Sequence, residues 1–336
     1  MPNKQLKVVG LFSGVGGIEL GFEQAGFEII WANEIDTNAC KTYQANHNHK
    51  LIENDIHNIQ VSEVPDCDVI VAGFPCQAFS IAGYQKGFED ERGEVFFQLA
   101  RIIKGKRPKF IFIENVKNLL RHDKGNTFRV ISETLESIGY YLKSFVLNAF
   151  EYGNIPQNRE RVYVVGCLSK SFIENLESLE PIPLTKNLDD IIDFETKVAT
   201  KFYYTKESCK FYNELAKKIV RQDRVYQWRR VYVRENKNGL CPTLTANMGT
   251  GGHNVPLILT KHGIRKLTPT ECFKMQGYPD TFVIPEEISQ TQRYKQAGNS
   301  VVVPVVKRLA ELIKNTEIKL QKHKTPIPKI MQLQNY

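Results

Sequence analysis

The stretch CDVIVAGFPCQAFS, residues 67–80, decides the reading of this chain. Its first part, CDVIV (67–71), is apolar and β-branched, as in a strand buried inside a sheet. Gly73 and Pro75 then break the strand pattern. Cys76 therefore stands in the loop at a strand's carboxyl end, where open α/β sheets place their ligands. Pro75 fixes its own φ and removes a donor, so the thiol is carried on a stiff backbone. A lone cysteine can equally be a buried, inert residue, and the rest of the chain has to choose between the two.

Working outward, buried strands alternate with helices through residue 167. LKVVGLF (6–12) reads as a first strand, followed by SGVGGIELGFEQAGF (13–27), a glycine-rich turn entering a helix. Glycines there let backbone approach a ligand closely. The pattern is GxGGxE, with Glu19 in the place of the third glycine of a dinucleotide fingerprint. FEIIWANEID (27–36) is a second strand that reaches Glu34, where a carboxylate can bond two ribose hydroxyls. KFIFIENV (109–116) ends in Glu114 and Asn115, and QNRERVYVVG (157–166) opens with Arg159 and Arg161. QAGNSVVVP (296–304) lies near the far end and turns into a helix. This alternation predicts a Rossmann-like, doubly wound, mostly parallel α/β sheet. From about 168 the pattern changes, and a second, smaller domain is expected.

Length and composition agree with that plan. The chain has 336 residues, enough for two lobes. Its net charge is +8 and its pI about 9.0, which suits a nucleic-acid partner. The seven cysteines, at 40, 67, 76, 167, 209, 241 and 272, form no CxxC pair. A metal site is therefore not expected, and a reducing, cytoplasmic location is. MPNKQLKVVG lacks an apolar signal core, and no apolar run is long enough to span a membrane.

The motifs GFPCQAFS, FIENV, QNRERV and QAGNSV, in this order, resemble those of the cytosine-C5 DNA methyltransferases, from about residue 7 to about 310. The resemblance implies a class I methyltransferase fold and S-adenosyl-L-methionine as methyl donor. It implies Cys76 as the nucleophile, Glu114 as the acid at the cytosine ring, and Arg161 at O2 with Arg159 as its phosphate partner. The donor would be held by the loop of Gly14, Gly16 and Gly17 and by Pro75. Phe12 and Ile35 would lie on the adenine, Ile35 standing where many members have Trp. Glu34 would bond the ribose, Asp55 beside Ile56 the adenine amino group, and Asn299 and Ser300 the methionine part. Alone, Asp55 reads as a turn residue and Glu34 as an acid at a helix start. The loop 81–95 reads as a lid beside the nucleophile.

The same resemblance divides the chain into a catalytic domain (1–187), a target-recognition domain (188–264), a hinge segment (265–295) and a returning part (296–336). RQDRVYQWRRVYVRENKNG (221–239) carries six Lys/Arg against two Asp/Glu, interleaved with Tyr226, Trp228 and Tyr232. Arginines with aromatics suit phosphates and base edges, while a solvated edge strand is the plain alternative. The expected DNA contacts are Gln77, Ser80, Arg229, Arg230, Arg234, Thr243, Thr245 and Asn247, the last three in CPTLTANMGTGGHNVP (241–256). In RKLTPTECFKMQGYPDTF (265–282), Thr268, Pro269 and Glu271 form a helix-start signal without assigned chemistry. The tail IKLQKHKTPIPKIMQLQNY is expected to fray.

The partner is then double-stranded DNA, with a short GC-rich site of about four or five base pairs. The expected molecule is a monomer, with a restriction endonuclease as its genetic rather than physical partner. The rivals are a tRNA-methylating member of the same family, a non-catalytic DNA-binding relative, and an NAD-dependent dehydrogenase. CPT in place of a CFT-type motif, the presence of both Cys76 and Glu114, and the GxGGxE pattern argue against each in turn.

Overall fold

The computed structural model describes residues 5–75, 95–229, 231–250 and 255–324. Cys76, Gln77, Ser80, the loop from 81 up to 95, and Arg230 fall outside the described residues, as do 251–254.

Seven strands form the main sheet: β1 (Lys7–Leu11), β2 (Glu28–Glu34), β3 (Lys50–Glu53), β4 (Val69–Ala72), β5 (Phe110–Val116), β6 (Tyr141–Asn148) and β8 (Glu160–Cys167). Between the last two runs the short β7 (Gln157–Asn158). The order is β3-β2-β1-β4-β5-β8-β6. Neighbours from β3 to β5 are parallel, and β8 runs antiparallel to both β5 and β6. The chain leaves β1 toward β2 on one side and reaches β4 on the other. The crevice between the carboxyl ends of β1 and β4 is thus a topological switch point, the position where such sheets bind ligands.

Val69–Ala72 are all buried, as the continuous apolar run predicts for a strand covered on both faces. Two apolar clusters cover the sheet. One contains the helix Val95–Lys106, and the other the helix Gly17–Gln24 and the long helix Val303–Lys324. That last helix returns the end of the chain to the first lobe. It continues to Lys324, so the expected fraying does not begin at 318.

A second sheet has the order β10-β9-β12-β13: β9 (Val225–Trp228), β10 (Val233–Asn236), β12 (Leu257–Thr260) and β13 (Gly263–Lys266). It has its own small core, in which Trp228 stacks on Phe211 at 4.3 Å. This sheet runs two residues past the expected boundary at 264. Leu188, Ile191, Ile192 and Phe194 pack into the main core instead of the small one. Thr268 caps the helix Pro269–Lys274 in a reciprocal box with Glu271, and Glu271 forms a buried two-point ion pair with Arg265 of β13. The structural reading of that segment holds. The part of the chain that carries the second sheet is joined to the main one by β11 (Cys241–Pro242), which pairs in parallel with β7.

Candidate functional site

A cleft of about 540 Å³ opens at the switch point. Thirteen of the expected residues line it: Phe12, Gly14, Gly17, Glu34, Ile35, Asp55, Ile56, Pro75, Glu114, Arg159, Arg161, Asn299 and Ser300. Its first end is built from the ends of β1 and β2. Phe12 has a φ of 55°, a left-handed conformation that costs a non-glycine residue on the order of 1–3 kcal/mol. Glu34 accepts from Gly14 N at 2.7 Å through Oε2, and from Ile35 N (2.9 Å) and Asp36 N (2.8 Å) through Oε1. A carboxylate offers about four acceptor directions, so one remains for a ligand hydroxyl. Ile35 is 59% exposed, an apolar face turned to the cleft. Asp55 binds the amide and ring of His57 through Oδ1. The His57 amide, first, and then its ring hold this carboxyl below its usual range.

Gly16 does not line the cleft. It caps the first helix at φ 84°, and a Cβ there would lie 2.1 Å from His47, so its role is the turn. Glu19 lies beneath the loop, 1% exposed, with Oε2 lacking a hydrogen bond among the described residues. Burial pushes its carboxyl up to about 7.

The second end of the cleft holds the reactive groups. Glu114 follows the apolar run of β5, two residues before the strand ends, and antiparallel pairing sets Arg161 opposite Val116, two residues away on the same face. Arg161 Nε lies 3.1 Å from Glu114 Oε1. The approach is off line, and Oε1 has no hydrogen-bond partner among the described residues. Burial raises the Glu114 carboxyl above its usual range, with Arg161 and Arg159 opposing. Asn115, for which no role was expected, donates to Phe74 O at 3.0 Å. It anchors the loop that enters Pro75.

Arg159 differs from expectation. It is 2% exposed and donates to Leu244 O, Gly298 O and Ser300 O. Three carbonyls occupy its fork, so it clamps three segments together and is not available to a phosphate. Gly298 allows the same closure, since a Cβ there would meet the Thr245 carbonyl at 2.2 Å. The helix Gln290–Asn299 docks on the helix Thr37–Gln44 through Gln296 and through Lys295, which pairs with Asp36 at 2.7 Å. Lys295 and Gln296 also line the cleft. No sequence motif singled them out, because their role depends on a contact across some 260 positions.

A second cleft, of about 660 Å³, lies between the small sheet and the β7–β11 stitch. Arg229, Arg234, Thr243 and Thr245 line it, and Asn247 does not. Arg221 and Arg224 are engaged with Asp223, and Arg224 also with Glu235. Tyr226 and Trp228 are buried in the small core, so only Tyr232 of the three aromatics is exposed. The Thr243 hydroxyl donates to Asn158 O. Strand alternation explains the aromatic misreading: every second residue of β9 faces the core. Among the described residues no cluster of three His, Cys, Asp or Glu could hold a metal, and no helix is long and apolar enough to cross a membrane.

Comparison with known proteins gives concordant results. The family model for C-5 cytosine-specific DNA methylase matches residues 6–315. The chain is 59% identical over 310 residues to the Type II methyltransferase M.Bsp6I of Bacillus sp. (strain RFL6), covering 92% of this chain and 98% of that one. It is 39% identical to the Type II methyltransferase M.HhaI of Haemophilus parahaemolyticus, covering 91% and 93%. Among solved structures, a mutant of Spodoptera frugiperda DNMT2 superposes with a TM-score of 0.73 at 19% identity, covering 92% of this chain and all of that one. A putative DNA modification methyltransferase encoded in an E. coli prophage gives 0.65 at 22%, covering 94% and 100%. These two show the fold alone.

Proposed function

The chain belongs to the C-5 cytosine-specific DNA methylase family, and from that premise we propose that it methylates carbon 5 of a flipped-out cytosine in a short duplex DNA site. One observation carries the reading furthest: a buried, raised carboxyl, Glu114, lies in the same cleft as Pro75, the residue that precedes Cys76.

The cleft suits S-adenosyl-L-methionine. Its volume is in the range of small-molecule sites. Glu34 keeps one acceptor direction for a ribose hydroxyl, and Ile35 and Phe12 offer apolar surface to the adenine. Asp55 Oδ2 has no hydrogen bond among the described residues and can accept from the amino group. When bound, the cofactor supplies an electrophilic methyl group on a sulfonium.

Carbon 5 of cytosine is a weak nucleophile. The Cys76 thiolate adds to carbon 6 and turns the ring into an enamine, which divides one hard step into easier ones. Negative charge gathers at N3 during that addition. Glu114, whose carboxyl burial raises above its usual range against the opposing pull of Arg161 and Arg159, donates a proton or hydrogen bond there. Arg161 holds the Glu114 carboxyl and presents its guanidinium toward O2. Once carbon 5 carries the methyl group, its proton passes to a water and the thiolate leaves carbon 6 by elimination. A base inside a duplex stack cannot reach these groups, so the cytosine is flipped out at a cost of a few kcal/mol. Catalysis falls to the first lobe with its returning segment, and target recognition to the small sheet. Type II relatives support a role as the modification enzyme beside a restriction endonuclease.

The test is transfer of labelled methyl groups to duplex DNA and to tRNA, with bisulfite sequencing to find the site. Duplex DNA is the expected acceptor. Cys76→Ser should abolish transfer while keeping cofactor and DNA binding, and only the wild type should form an adduct with 5-fluorocytosine DNA. Robust turnover by Cys76→Ser overturns the mechanism, and preference for tRNA overturns the substrate.

A further inference from the structure

Two side chains of the second cleft, Gln227 and Arg234, face each other across the β9–β10 hairpin. Tyr226, Trp228 and Val233 turn one face of the β9–β10 hairpin to the small core. Alternation therefore sends Gln227 and Arg234 to the opposite face, and both line the cleft. They are direct partners in the antiparallel register, so their Cβ atoms are about 4.5–5.5 Å apart. Gln227 is 4% exposed, and its Oε1 has no hydrogen-bond partner among the described residues. Arg234 is exposed and makes no hydrogen bond or ion pair among the described residues. Its neighbours are committed: Arg224 to Asp223 and Glu235, Asn236 to Val225 O, and Thr243 to Asn158 O.

We propose that Arg234 reads a guanine of the target duplex and that Gln227 is the positioning residue that holds its guanidinium in line. The inference rests on the chain acting on duplex DNA. A guanidinium carries five N–H donors in a fixed plane. Two pair with guanine O6 and N7 in the major groove. A third can turn back to the Gln227 carbonyl, which supplies a buried acceptor beside the arginine and nothing else to fill it. An arginine that only neutralises phosphate needs no such anchor, because phosphate contacts tolerate many orientations. The location agrees. Asn158 lines this cleft, while Arg161, three residues on, lines the catalytic one. A duplex whose target base reaches Glu114 therefore passes over the hairpin.

Once bisulfite sequencing has identified the site, kcat/KM is measured on duplexes with each base pair changed in turn. The proteins are the wild type, Arg234→Ala, Gln227→Met and Gln227→Glu. Cofactor binding by each variant checks that the fold is kept. The wild type should discriminate by at least about tenfold at one guanine position. Arg234→Ala should level that position and leave the others. Gln227→Met, similar in shape but without the acceptor, should lower discrimination at the same position by a smaller factor. Gln227→Glu, which keeps an acceptor, should retain it. A uniform loss on all duplexes with Arg234→Ala makes Arg234 a phosphate contact and overturns the proposal. An unchanged preference with Gln227→Met removes the anchor. A purely structural Gln227 would lower all duplexes alike. Failure of the wild type on every duplex would instead overturn the function itself.

Discussion

The two clefts satisfy their polar groups in opposite ways. In the first, Glu34 is held by three amides and Arg159 by three carbonyls, and Glu114 is ion-paired with Arg161 although its Oε1 makes no hydrogen bond among the described residues. In the second, the Arg234 guanidinium and the Gln227 side-chain carbonyl lack partners among the described residues. Chemistry needs groups fixed before the substrate arrives, since only preorganised dipoles act without reorganisation cost. Recognition needs donors and acceptors that the target itself completes. The difference separates a machine for one reaction from a surface for one sequence.

The contrast can be broken physically. Trp228→Ala removes the ring stacked on Phe211 and should destabilise the small lobe by roughly 3–5 kcal/mol. The expected result is loss of DNA binding with cofactor binding kept, measured by titration of each ligand. Equal loss of both would mean that the lobes fold as one unit.

The first cleft can be probed by pH. Glu19 is raised from 4.5 to about 7, so the folded state binds the proton more tightly. Its contribution is fully present below pH 4.5 and is lost as pH rises to about 7, by roughly 3 kcal/mol. Glu19→Gln should flatten that slope and be the more stable protein at pH 8, as chemical denaturation across pH will reveal. A wild-type profile flat over this window rules the effect out.

Glu34→Ala should weaken cofactor binding by about 1.5–3 kcal/mol, with target specificity unchanged. Calorimetric titration measures the first and site-by-site methylation the second. An unaltered affinity would remove Glu34 from the site.

Smallest of all, Arg221→Ala should leave DNA affinity and its salt dependence unchanged, because Asp223 already occupies its guanidinium. Arg234→Ala in the same salt series should not. If Arg221 behaves like Arg234, the distinction between engaged and available arginines fails.

Much of the first cleft was legible because its residues end strands or fill turns. Glu34 and Glu114 close apolar runs, and strand periodicity announces where such runs stop. Arg159 was legible as a site residue, but its task was not. Nothing local distinguishes an arginine that meets phosphate from one buried against carbonyls contributed by residues 244, 298 and 300. The same holds for Tyr226 and Trp228, whose setting among arginines suggested base stacking. Their burial follows from a sheet face that forms only when Phe211 and Ile264 arrive from elsewhere.

By itself the sequence determined the sheet, the order of its motifs and the family, because hydrophobic periodicity and turn residues act over a few positions. The tertiary structure decided which charges are spent and which remain. A guanidinium or an amide is defined by the partners it finds, and those partners lie up to 141 residues away in the case of Arg159. Gln227 is the sharpest instance, a plain strand residue until the opposing strand set Arg234 beside it.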